Sequence, residues 1–63
     1  MVIDEIEEKI RNFKATNETE KRQHKQMITF VRNYYAEKAK KDMANYKESK
    51  AMEGEYQLLL ENL

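Results

Sequence analysis

The feature that most constrains this chain is the near absence of residues that stop a helix. Its 63 residues contain no proline and one glycine, Gly54, and 38% of them are charged. Proline costs about 3 kcal/mol and glycine about 1 kcal/mol in a helix interior, so a chain nearly free of both can stay helical over long stretches. We therefore expect an all-α protein that forms a single small helical domain over residues 1–63.

The first segment carries apolar residues at helical spacing. Ile3, Ile6, Ile10 and Phe13 are spaced so that they line one face of a helix. Acidic residues cluster in the first turns, where they are favourable against the positive end of the helix dipole. The pattern predicts a short amphipathic helix over about residues 2–15.

The stretch that follows is the best candidate for a break. Thr16 or Asn17 can cap a new helix, and Asn17 followed by Glu20 resembles a capping box. We expect a turn at Thr16 and Asn17, and hence a helical hairpin. The alternative is one unbroken helix, because the coiled-coil rhythm continues with Asn17, Glu20 and His24 as polar residues in the seam.

Beyond the break, the pattern predicts a long helix over about residues 17–53, with a C-terminal helix that can extend to residue 62. Gly54 is the least helix-favouring residue of this stretch. It could mark a kink or the end of the helix, or it could be tolerated in the helix interior. Such a helix would be about 54 Å long, more than one chain of this size can cover. We therefore expect a homodimeric helical bundle or coiled coil. The last segment restores the strict coiled-coil rhythm in Met52, Tyr56, Leu59 and Leu63.

Charge is unevenly distributed, although the net charge is zero. Residues 1–20 hold six acids and three bases, residues 21–50 hold three acids and nine bases, and residues 51–63 hold three acids and no base. On one continuous helix, most of the middle bases would share a stripe about 100° wide. The stripe consists of Lys21, Arg22, Lys25, Arg32, Lys40, Lys47 and Lys50.

Two interpretations of this basic stripe remain open. It is either a solvated face balanced by the acidic ends of the same or a neighbouring chain, or a surface that contacts phosphates of a nucleic acid. In the second case Phe30, Tyr34 or Tyr35 could stack on bases.

The sequence offers no constellation for catalysis. His24 and Glu20 are the only pair at metal-ligand spacing, and zinc needs at least three protein ligands. No glycine-rich phosphate loop or nucleophile elbow is present. We expect no enzymatic activity, no metal and no cofactor.

The sequence also indicates the cellular location of the protein. The apolar stretches at residues 27–31 and 58–60 are far shorter than the roughly 20 residues of a membrane span. The first residues lack the basic and apolar regions of a secretory signal, and the chain has no cysteine. We expect a cytoplasmic protein that does not contact a membrane.

Tyrosine and methionine dominate the middle of the chain, whereas leucine and isoleucine cluster at its ends. Because Tyr, Met and Arg are enriched in protein interfaces, we expect this middle to bind a protein partner. The expected function is that of a small regulator, inhibitor or assembly factor of the phage or bacterial kind, acting as a homodimer. The alternatives are a nucleic-acid-binding accessory protein and a structural coiled-coil scaffold. The predicted interface residues are Phe30, Arg32, Tyr34, Tyr35, Met43 and Tyr46.

Overall fold

A computed structural model describes residues 3–63, which fold into three α-helices. Helix α1 spans Ile3–Asn12, α2 spans Glu18–Lys41 and α3 spans Tyr46–Glu61, and a 3-10 turn at Met43–Asn45 precedes α3. No strand occurs in this described part of the chain. The predicted all-α class is confirmed.

The chain turns between α1 and α2 where the capping signal predicted. The backbone of Asn17 is extended, and its side chain accepts a 2.8 Å hydrogen bond from the backbone N–H of Glu20. A carboxylate oxygen of Glu20 in turn accepts hydrogen bonds from the hydroxyl and the backbone N–H of Thr16. These two bonds lower the pKa of Glu20. The predicted break is confirmed, and the unbroken helix through this stretch does not form.

The predicted long helix over residues 17–53 is wrong, because α2 ends at Lys41. Asp42 leaves the helix in an extended conformation, and its N–H donates to the carbonyl of Lys38 at 2.8 Å. The Asn45 side chain then donates a 2.7 Å hydrogen bond to the Asp42 carboxylate, which lowers the pKa of Asp42. Asp and Asn form such local bonds readily, and these bonds compete with helical continuation.

Gly54, which the sequence offered as a kink or helix end, does not end a helix. Helix α3 begins at Tyr46, runs through Gly54 and ends at Glu61. The glycine is therefore a tolerated interior residue, and the C-terminal helix is present as predicted, although it starts earlier in the chain.

Helices α2 and α3 pack antiparallel. The Arg32 guanidinium on α2 donates a 2.7 Å hydrogen bond to the Gln57 side chain on α3. The rings of Tyr35 and Tyr56 stack with their centroids 6.2 Å apart. Closer to the 3-10 turn, the small side chains of Ala39 and Ser49 on α2 and α3 are buried. Small side chains allow the two helices to approach closely there.

The hydrophobic core lies where all three helices overlap. Ile10, Ile28, Val31 and Tyr56 form its buried centre. Helix α1 has 10 residues against 24 in α2, so at about 1.5 Å per residue it covers less than half the length of α2. The half of the hairpin nearest the 3-10 turn is therefore a two-helix structure. The partly buried side chains around the core are Ile3, Ile6, Met27, Tyr35, Met52 and Leu60.

No helix among residues 3–63 combines the length and apolar character that a membrane crossing requires.

Candidate protein interface

The residues predicted as a protein interface do not form one continuous surface. Phe30, Met43 and Tyr46 are exposed, and Met43 is the most exposed of them at 75%. Phe30 lies near the middle of α2, and the helix rises about 16 Å between Phe30 and its end at Lys41. Met43 and Tyr46 lie beyond that end. The exposed members therefore belong to two separate places on the molecule.

Tyr34 and Tyr35 are only partly exposed. Tyr34 packs its ring against the edge of the Tyr35 ring at 5.2 Å, and the Lys38 ammonium lies 5.9 Å from the centre of the Tyr34 ring. Tyr35 packs against the core centre. Tyr35 therefore contributes to the core of the single chain.

A buried carboxylate that the sequence did not single out joins the three helices. Glu7 on α1 is 8% exposed. Its two oxygens accept hydrogen bonds from the hydroxyls of Tyr35 at 2.6 Å and Tyr56 at 2.9 Å. Burial, together with the bond to Glu7, raises the pKa of Tyr56 to about 12 and that of Tyr35 further. We call Glu7, Tyr35 and Tyr56 the tyrosine clamp.

The position of Glu7 could have been found from spacing. It follows Ile3 by four positions and precedes Ile10 by three, which places it at the edge of the apolar face of α1. An acidic residue at that edge needs hydrogen-bond donors when it is buried. The two donors come from distant parts of the chain, and no local pattern identifies them.

Arg32 has an internal role in the fold. Besides its bond to Gln57, its second terminal nitrogen donates a 2.8 Å hydrogen bond to the side chain of Asn33. The guanidinium thus links α2 to α3, and substituting Arg32 would disturb packing as well as any external contact.

The continuous basic stripe does not form, because the chain reverses direction at Asp42–Asn45. Lys21, Arg22 and Lys25 lie exposed near the start of α2. Lys40 lies near the end of α2, and Lys47 and Lys50 lie near the start of α3. The stripe is thereby divided into two basic groups at opposite ends of the hairpin.

One of these two ends is the turn at residues 42–46, which we call the tip. The backbone N–H of Tyr46 donates to the carbonyl of Met43 and closes the 3-10 turn. Side chains three residues apart in a 3-10 turn are nearly eclipsed, so Met43 and Tyr46 project from the same side. The bond between Asp42 and Asn45 fixes the turn from within.

The His24 side chain belongs to the packing of α1. One ring nitrogen lies 3.2 Å from the carbonyl oxygen of Ile10, and the ring stacks on Phe13 at 5.0 Å. Glu20, the residue at metal-ligand spacing from His24, is engaged in the helix cap. Within residues 3–63, no group of three metal-ligating side chains comes together.

Comparisons of the chain with protein-family models, curated proteins and solved structures find no match. The case for a function therefore depends on the placement of the chain's own side chains.

Proposed function

We propose that this chain is a non-enzymatic regulator or assembly factor that binds another protein through the tip of its hairpin, and that it acts as a homodimer. The observation that carries the proposal is the exposure of two large apolar side chains on one side of a fixed turn. Met43 is 75% exposed and Tyr46 is 43% exposed.

The conformation of the tip favours binding. Because hydrogen bonds hold Asp42, Asn45 and Tyr46 in place, little backbone entropy is lost when a partner covers the turn. Fully burying a side chain such as Met is worth about 1.5 to 3 kcal/mol. A methionine and a tyrosine side by side are therefore a suitable pair of anchors for an apolar pocket.

The surroundings of the tip indicate the chemistry of the partner. Residues 37–50 hold five lysines and three acids, a net charge of +2, and positive charge around apolar anchors favours a pocket bordered by acidic residues. Interfaces of this kind gain specificity and association rate from the charges and affinity from the buried anchors. The lysines are Lys38, Lys40, Lys41, Lys47 and Lys50.

The test compares a variant that lacks the apolar side chains of the tip with a variant that lacks an exposed apolar side chain elsewhere. Met43→Ser with Tyr46→Ser removes the anchors at the tip, and Phe30→Ser removes an exposed ring in the middle of α2. Each protein is immobilised and exposed to an extract of the source organism, after circular dichroism has shown that it is folded. We expect the wild type and Phe30→Ser to retain the same protein in near-stoichiometric amount, and the tip variant to lose it.

Retention of that protein by the tip variant would refute the proposal. If only the Phe30→Ser variant failed to retain that protein, the binding surface would lie on α2 instead.

The second candidate is a nucleic-acid-binding accessory protein. The observation in its favour is that an exposed tyrosine, Tyr46, which could stack on a base, lies in the stretch of the chain that carries the five lysines. Lys40→Glu with Lys47→Glu should then abolish binding to a structured RNA, and wild-type affinity should fall steeply with added salt. The coiled-coil scaffold required a helix unbroken past Asn17, and α2 begins only at Glu18.

A further inference from the structure

We infer that two copies of this chain associate through the end of the bundle opposite the tip. In this arrangement, the acidic C-terminal half of α3 in one copy lies against the basic N-terminal half of α2 in the other. The inference rests on the proposed homodimer and assigns its interface.

The coiled-coil seam of α3 leaves the core before the helix ends. Met52 is partly buried against the core and Tyr56 is only 6% exposed, but Leu59, which continues the same rhythm, is 44% exposed. Leu63, two positions beyond the end of α3 at Glu61, is 59% exposed. Leu58 beside them is 58% exposed. These three leucines are half of the exposed large apolar side chains in the described chain. An apolar seam that continues beyond its own core is suited to a second helix.

Beside the start of α2 lies a groove that can receive apolar side chains from a second copy. Leu60 and Leu63 line an open groove of about 560 Å³ together with Phe13 and three bases of α2. The groove thus has an apolar floor and a border on which the bases outnumber the one acid, Glu18. The three bases are Lys21, Arg22 and Lys25.

The charges on the two helices are complementary. Arg22 and Lys25 are exposed, as are Glu55 and Glu61 on α3. Among residues 3–63, none of these four side chains lies in an ion pair, since the pairs formed are Lys21–Glu18 and Lys50–Glu53.

Helix stability does not explain this distribution of charge. Glu61 stands in the last turn of α3, where the helix dipole disfavours an acid, and that turn contains no base. A positively charged partner beside this turn would offset the unfavourable interaction of Glu61 with the helix dipole.

The geometry suits a two-fold axis. The start of α2 and the end of α3 lie at the same end of the antiparallel hairpin. When this end meets its own copy about a two-fold axis, the α3-to-α2 contact forms twice, as an isologous interface requires. An acidic helix of another protein would pair only with the bases of α2. It would leave the exposed leucines and acids of α3 uncovered.

The experiment exchanges charges between the two helices. Variant A carries Arg22→Glu and Lys25→Glu, and variant B carries Glu55→Lys and Glu61→Lys. In a homodimer of either variant, both contacts bring like charges together. When A and B are mixed, both contacts again join opposite charges. Sedimentation equilibrium over a dilution series measures each protein alone and the equimolar mixture.

We expect the dissociation constant of A alone, and of B alone, to rise at least about tenfold over that of the wild type. The mixture should return to within about threefold of the wild-type value. The control is Lys40→Glu with Lys47→Glu, which changes the net charge as A does but at the tip, and it should dimerise like the wild type.

Each contrary outcome has a distinct meaning. A wild type that stays monomeric would overturn this interface and the homodimer together, but not binding of a partner at the tip. Dimers that persist in A and B, or a mixture that fails to recover, would overturn this interface and leave the homodimer standing.

Discussion

Tyr56 on α3 donates a 2.9 Å hydrogen bond to Glu7 on α1, a contact between residues 49 positions apart. Tyr35 on α2 binds the other oxygen of the same carboxylate. The two bonds thus join α1 to both helices of the hairpin, beside the apolar contacts of Ile3, Ile6 and Ile10 with the core.

Removal of the clamp carboxylate should destabilise the fold. Hydrogen bonds to a charged group contribute about 1.5 to 3 kcal/mol each, so the loss of both bonds in Glu7→Ala should lower the free energy of unfolding by about 3 kcal/mol or more. Urea denaturation followed by circular dichroism measures the change. Glu8→Ala, at an exposed position of the same helix, should stay within about 0.5 kcal/mol of the wild type. Equal effects of the two variants would contradict a structural role for the clamp.

The clamp should also make the fold sensitive to alkali. An unfolded tyrosine titrates near 10.0, whereas the pKa of Tyr56 in the fold is raised to about 12 and that of Tyr35 is raised further. The unfolded state therefore loses these protons first, so the free energy of unfolding should fall as the pH rises above 10.0 through the pKa of Tyr56. Urea denaturation across this pH range measures the fall. Tyr35→Phe with Tyr56→Phe should flatten it, and an unchanged slope would show that the clamp does not cause it.

The two chain reversals show what local sequence can and cannot reveal. Asn17 and Glu20 form a cap with each other, so the break before α2 could be read from four consecutive positions. The break at Asp42 was missed because Ala39, Met43 and Tyr46 continue a helical spacing across it. Asp42 and Asn45 were the available signal for a turn.

The placement of the interface residues could not be read from the sequence for a related reason. A helical pattern assigns residues to one face, but folding α3 back onto α2 turns part of that face inward. Tyr35 thereby packs on Tyr56, and Ser49, a polar residue of α3, is only 2% exposed. The contact of Tyr35 with Tyr56 joins residues 21 positions apart, beyond the range of any helical repeat.

The cap at the start of α2 should contribute measurably to stability. Asn17→Ala removes the acceptor for the backbone N–H of Glu20, and the loss of an Asn cap costs about 1 kcal/mol. Thermal unfolding measures this change. Thr19→Ala alters an exposed residue in the first turn of the same helix without touching the cap, and it should leave the melting temperature nearly unchanged. A matching loss in both variants would contradict a specific contribution of the cap, because alanine has a higher helix propensity than either residue it replaces.

Gly54 offers a substitution that should stabilise the protein. It lies inside α3 without a positive φ, and a Cβ built on it meets nothing within 4 Å. Gly54→Ala should therefore raise the free energy of unfolding by about 0.5 to 1 kcal/mol, because alanine has less backbone freedom to lose on folding. Ala51→Gly, the reverse change at an exposed position of the same helix, should lower it by a similar amount. Urea denaturation of both variants tests the pair. A loss of stability with Gly54→Ala would mean that α3 bends at Gly54 in solution, so that the uninterrupted helix from Tyr46 to Glu61 is not its stable form.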